Sequence, residues 1–152
     1  MAEPKDPAPQ GGLSQEAIEY ARQFFNAARG GAVEILAAPL EAGLPANLTN
    51  DKGDTLIMLA AYHGHEEAVR LLLKHGADPN RLNDRGQSPL AGAIFKNEEG
   101  VIRALLDGGA DPDVGTPTGW QTAKTFGKLD VWDKPFAEAR ARRDAKAAEA
   151  KA

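Results

Sequence analysis

Two apolar stripes recur along the middle of the chain. Ile57, Ala60 and Ala61 occupy positions i, i+3 and i+4, and Leu90, Ala93 and Ile94 repeat that spacing 33 residues later. Val69, Leu72 and Leu73 form a second stripe, which Ile102, Leu105 and Leu106 repeat at the same distance. Apolar positions three and four apart fall on one side of a 3.6-residue helix, so each stripe predicts a short amphipathic helix. The polar positions between them predict the helix ends. Thr55 and Ser88 stand as N-caps whose hydroxyls accept from backbone N–H groups of the first turn. Pro89 follows at the first helical position, where a missing N–H removes no bond. Gly64 stops the first helix, a second begins near Glu66 or Glu99, and Gly76 and Gly109 close the second helices as left-handed residues.

The period is fixed along the chain. Asn50-Asp51-Lys52-Gly53 returns as Asn83-Asp84-Arg85-Gly86 and, weakened, as Thr116-Pro117-Thr118-Gly119. Gly43, Gly76 and Gly109 keep the same step, and residues 50–82 align with 83–115 at 12 identities without a gap. Asn first and Gly fourth suit a type I turn, with Pro117 at the second position of the last copy. The unit is therefore turn, short helix, tight turn, second helix. Neither helix can bury its stripe alone, so the units must stack. The expected units are 14–49, 50–82, 83–115 and a partial 116–132, forming one domain over 13–132.

The two ends read as caps. Ser14 starts a helix with Ala17, Ile18, Ala21, Phe24, Phe25 and Ala28 on one side. Its partner, Val33 to Leu40, contains Pro39 at the position of Leu72. Proline there loses a hydrogen bond and presses on the carbonyl of Ile35, a cost of about 3 kcal/mol in a helix interior, so this helix is expected to kink or stop early. Gln121 to Gly127 is expected to be a truncated first helix of the fourth unit. The tail over 133–152 is rich in helix formers but has no apolar stripe beyond Phe136, which predicts a frayed or solvated helix. Residues 1–12 are expected to be a flexible arm, since Pro, Gly and charge leave little to bury.

The combined pattern resembles the ankyrin repeat family. The matching residues are Asp51-Lys52-Gly53-Asp54-Thr55-Leu56-Ile57, Ala60-Ala61, Gly64-His65, Val69, Leu72-Leu73 and Gly76-Ala77-Asp78, with Ser88-Pro89-Leu90-Ala91 in the third unit. The resemblance implies an all-α solenoid of stacked helix-turn-helix units with β-turn or hairpin loops. It also implies a concave face that binds another protein or peptide. The family's partner-reading positions fall on Thr49, Asp51, Lys52, Asp54, Tyr62 and His63 in the second unit. In the third they fall on Leu82, Asp84, Arg85, Gln87, Phe95 and Lys96, and in the fourth on Thr118 and Trp120. Aromatics and arginine often dominate interface energy, which singles out Tyr62, Phe95 and Arg85. Trp120 reads equally well as a cover for the last unit. Two departures stand out: in the second unit Leu56 replaces the family's proline and Met58 its histidine, and with Ala91 in the third unit neither has the histidine that links neighbouring loops in the family, which should cost loop rigidity.

Composition narrows the chemistry. A net charge of -4 argues against a nucleic-acid binder, which needs a basic face to release counterions from phosphate. There is no cysteine, hence no thiolate nucleophile and no cysteine-ligated zinc. The N-terminus has no apolar signal segment and no run long enough to span a membrane, so a cytoplasmic or nuclear, unsecreted monomer is expected. His63, His65 and His75 lie close together with Glu66 and Glu67. A metal site needs three or four ligands converging on one point. Yet His65 and His75 mark opposite ends of one predicted helix, about 15 Å apart by the standard rise. A metal-dependent enzyme using His63 and His65 is therefore the weaker reading, and no cofactor is expected. The leading expectation is a non-catalytic interaction module; the alternative is a client-specific chaperone shielding a basic protein.

Overall fold

A computed structural model describes residues 14–151, and the arm expected at 1–12 lies outside them. The described residues form eight helices: α1 (Gln15–Gly30), α2 (Val33–Glu41), α3 (Leu56–Tyr62), α4 (Glu66–Lys74), α5 (Pro89–Phe95), α6 (Glu99–Asp107), α7 (Gly119–Thr125) and α8 (Leu129–Lys151). No strand occurs among them beyond an isolated Thr49–Thr55 bridge. α1, α3, α5 and α7 pack one upon the next, and α2, α4, α6 and α8 form a second layer behind them. This is the all-α stack that the two stripes require. α3, enclosed by α1 and α5, buries every residue from Leu56 to Ala61.

Each first helix starts at a side-chain cap. Ser14, Thr55, Ser88 and Thr118 accept from the backbone N–H of Ala17, Met58, Ala91 and Gln121. Thr118 also forms a capping box with Gln121. Each first helix is followed within two residues by a left-handed one: Gly31, Gly64, Asn97 and Gly127. Asn97, at φ 57°, is the one non-glycine with positive φ among the described residues. Asparagine tolerates this conformation better than other L residues.

The last unit departs from the 33-residue step. Thr118 follows Ser88 by 30 positions and α8 follows α6 by 30, so the turn is shortened by three residues. Thr116–Gly119 consequently does not repeat the Asn-Asp-x-Gly turn: Thr118 is already a cap. The fourth unit is also not partial, since α7 and α8 complete its helix pair. At the shortened step, the position of Gly43, Gly76 and Gly109 falls to Ala139, which is buried. With no glycine to turn the chain, α8 runs on to Lys151. It is anchored by Trp132 (2% exposed), Phe136 (0%) and Ala139 (5%), so only its turns beyond Arg143 fit the expected solvated tail.

Pro39 does not end α2, which runs the same nine residues as α4 and α6. The proline's cost of about 3 kcal/mol is offset by Leu36 and Leu40, both buried and each contributing about 1.5–3 kcal/mol. Stopping before Pro39 would release Leu40. Pro135 occupies the same seventh position of α8, where the two middle units carry the fully buried Leu72 and Leu105. Residues four before the two prolines, Ile35 and Val131, are exposed.

A second ladder ties the ends of the back helices. Asn47 Oδ1 accepts from Asp78 N at 2.8 Å, and Asn80 Oδ1 accepts from Asp111 N at 2.7 Å. Their amide nitrogens donate to the carbonyls of Gly76 and Gly109. One period later the position is Asp113, which faces a helix instead of a loop. Arg140 binds its carboxylate through two bonds at 3.0 and 2.8 Å. Arg143 reaches both Asp113 at 2.7 Å and Asp111 at 2.9 Å. The Arg140 bond holds the Asp113 carboxyl well below its ordinary value, at about 2, against the opposing effect of burial and with further help from Arg143.

Two predictions follow from these termini. Asn97→Ala is expected to destabilise the chain by about 1 kcal/mol and Asn97→Gly to be neutral or stabilising, read from denaturant midpoints. The depressed pKa of Asp113 means its contribution is complete above about pH 4 and is lost as pH falls through about 2. With the side chain 40% exposed, screening limits that contribution to about 1 kcal/mol or less. Amide protection factors in α8 beyond Arg140, corrected for the intrinsic pH dependence of exchange, should therefore fall between pH 4 and 2 in the wild type, and be low already at pH 7 in Asp113→Asn.

Candidate functional site

The turn tips form the first wall of a groove. Asn50 Oδ1 accepts from the backbone N–H of Lys52 and Asp54, both at 3.0 Å, and Asn83 Oδ1 does the same for Arg85 and Gln87. These bonds present Asp51 with Lys52, and Asp84 with Arg85, at the apex of each turn. Successive tips are tied together: Asp84 N donates to Lys52 O at 3.0 Å, and Thr116 N to Gly86 O at 2.9 Å. Asn83 Nδ2 adds a bond to Asp54 Oδ1 at 2.9 Å. Any Cβ on Gly53, at φ 75°, would collide with the Asp84 carboxylate and stand 2.9 Å from its backbone nitrogen. The loops expected to be loosened by Met58 and Ala91 are thus joined by main-chain bonds and asparagine.

The other wall and the floor come from the first helices. Met58 and Leu59 are buried beneath the opening, while Tyr62 is 41% exposed at the end of α3. The enclosed space is about 560 Å³. Of the residues singled out in the sequence, Asp51, Lys52, Asp54, Tyr62, His63, Asp84, Arg85 and Gln87 line it. Lys96 sits at its edge, with its ammonium 5.1 Å from the centre of the Tyr62 ring. Arg29 from α1 also lines the groove.

Five expected positions lie elsewhere. Thr118 is the N-cap of α7. Thr49 pairs with Thr55, and Leu82 is exposed on the loop outside the groove. Phe95 is 57% exposed and meets Phe126 edge-on at 5.6 Å. Trp120 is half-buried against the core, with Lys124 5.3 Å above its ring. The shortened fourth unit explains this placement, because Trp120 occupies the position of Leu90 and not that of Gln87. Arg29 and Phe126 were not singled out by the sequence. Arg29 stands one period before Tyr62, and Phe126 stands one shortened period after Lys96, so the Thr118 cap was the signal for the latter.

The histidines separate. His65 Nε2 lies 2.8 Å from the carbonyl of Arg29, and its ring fills the space where a Cβ on Gly31 would stand. His75 caps the far end of α4. His63 packs edge-on to Tyr62 at 5.4 Å and opens to the groove. Its pKa is lowered, first by partial burial and then by the positive charges of His65, Arg29 and Lys96. Among the described residues, no three His, Asp or Glu side chains converge as metal ligands, and no helix is long and apolar enough to cross a membrane.

The comparisons agree with this architecture. A family model described as ankyrin repeats (three copies) matches residues 24–116. The chain is 48% identical over 64 residues to an ankyrin repeat protein of Pseudomonas aeruginosa. That stretch is 42% of this chain and 37% of the relative, so the match covers little more than a third of the relative's length. With helix pairs, capped starts, bonded turn tips and a family match over most of its length, the chain belongs to the ankyrin repeat family.

Proposed function

We propose that this chain is a non-catalytic adaptor that binds another protein or peptide on its concave face, in the groove between the turn tips and first helices of the second and third units. The observation that carries this reading is the run of exposed aromatics at successive first-helix ends. Tyr62, Phe95 and Phe126 are 41%, 57% and 49% exposed, while the preceding alanines of α3 and α5 are fully enclosed. The stack does not use these rings for its core. Tyr62 shares the groove with Arg29, Lys52 and Arg85 and lies under Lys96, for none of which a carboxylate lies within ion-pair distance among the described residues. Aromatics next to arginine are the chemistry of interface hot spots.

Replacing Tyr62, Phe95 and Arg85 together by alanine is expected to weaken a partner captured from native lysate at least 100-fold. The melting temperature should shift by no more than about 3 °C, since exposed positions contribute little to stability. Undiminished binding by the triple variant would disprove the concave-face assignment. The lowered pKa of His63 also moves its charge change below pH 6.5, so affinity is expected to be flat from pH 7.5 to 6.5. In NMR titrations His63 should protonate below 6.5, and at higher pH in the Arg29→Gln, Lys96→Gln double variant, with burial retaining part of the shift.

A further inference from the structure

The two walls of the groove differ in charge. At the turn tips each acid has a base as its chain neighbour, Asp51 with Lys52 and Asp84 with Arg85, while Asp54 is engaged by Asn83. The helix-end wall carries Arg29, His63 and Lys96 at the ends of α1, α3 and α5, and the neighbouring Glu98 carboxylate is turned against Gly64. Cations at helix C-termini have an ordinary explanation in the helix dipole. The contacts here point away from it. The Arg29 guanidinium bonds the Asn26 side chain, and the Lys96 ammonium lies over Tyr62 of the neighbouring unit. Neither side chain bonds a helix carbonyl.

Lys96 follows His63 by one 33-residue period, and Arg29 stands one residue before the matching position, Gly30. Packed helices lie about 8–10 Å apart, so about one polar donor is offered per step of that length. A polyproline II segment has three residues per turn and a rise of about 3.1 Å, which returns a side chain to the same side every 9.3 Å or so. A β-strand returns on the same side every two residues, about 6.6 Å, and misses the step.

We propose that the groove's occupant is an acidic segment in polyproline II conformation, crossing the units with a carboxylate at every third residue, the outer two meeting the charges of Arg29 and Lys96 and the middle one accepting from the ring N–H of His63. The proposal rests on the concave-face reading above and adds the partner's chemistry to it. Apolar side chains between the acids meet Tyr62 and the Phe95–Phe126 pair. The net charge of -4 on the whole chain does not oppose this, because charges beyond about 10 Å are largely screened at physiological salt.

The test is selection of a random twelve-residue peptide library, displayed on phage, against the full chain, followed by fluorescence anisotropy on the selected peptides. Winners are expected to carry Asp or Glu at i, i+3 and i+6. Arg29→Gln and Lys96→Gln should each weaken them about 5–10-fold, and raising salt from about 50 to 300 mM should weaken them further. Melting curves of both variants verify folding; the His65 bond uses the carbonyl of Arg29 and survives the change. Suppose winners are lost in the Tyr62→Ala, Phe95→Ala, Arg85→Ala variant but are basic, or acidic at seven-residue helical spacing, or indifferent to the two glutamine changes. The groove then stands and the acidic register is wrong. Winners indifferent to the triple variant, or no winners at all, would remove the groove reading and this proposal with it.

Discussion

No helix pair in this chain is complete without its neighbour. α3 and α5 are seven residues long, and helices of that length are unstable in isolation. They persist because both of their sides are covered, which is why Leu56 through Ala61 are buried without a solvent-facing stripe. Covering requires close approach, and close approach decides many small positions. The His65 ring takes the space beside Gly31, and the Glu98 carboxylate takes the space beside Gly64. In the back layer Leu73 packs onto Gly108. In the front layer the later unit fills the room that a missing Cβ leaves in the earlier one, and at Gly108 the earlier unit fills room in the later one.

The middle of this arrangement was legible because its rules are local and repeated. Thr55 and Ser88 as caps, Gly64 as a stop and two stripes of fixed spacing each follow from single-residue chemistry. The fourth unit was misread because one rule, the 33-residue step, was extended past the point where it held. Thr118 carried the contrary sign: a threonine followed three residues later by Gln121 is a capping box. Counting from the cap and not from the period moves Trp120 into the cover, places Phe126 beside Phe95 and shows that Ala139 replaces the stopping glycine. The arginine clasp on Asp111 and Asp113 was not legible, because those pairs are about thirty residues apart and depend on how far α8 continues.

The two prolines show how context overrides propensity. Pro39 and Pro135 sit at one repeat position, in the first and last helices of the back layer, and the two middle units place leucines there. In the middle, Ala68 and Val101 four residues earlier are enclosed, so a carbonyl deprived of its donor would have no water to turn to. At the ends the matching residues, Ile35 and Val131, are exposed, so solvent can take the bond. The cost of proline therefore depends on whether a unit has a neighbour on both sides.

Stacking also determines where chemistry is free to vary. A left-handed residue must follow each first helix, so the one or two positions before it turn outward from the stack. Those positions hold Arg29, Tyr62 with His63, and Phe95 with Lys96, which differ from unit to unit while Ala60 and Ala93 beneath them match. The last unit described shows the converse: no further unit covers α7 among the described residues, and it half-buries Trp120 while its threonines fold their hydroxyls back onto the backbone. A groove can be written on the middle units because their cores are closed by neighbours on both sides. The last unit has to spend its aromatic on closing the stack itself.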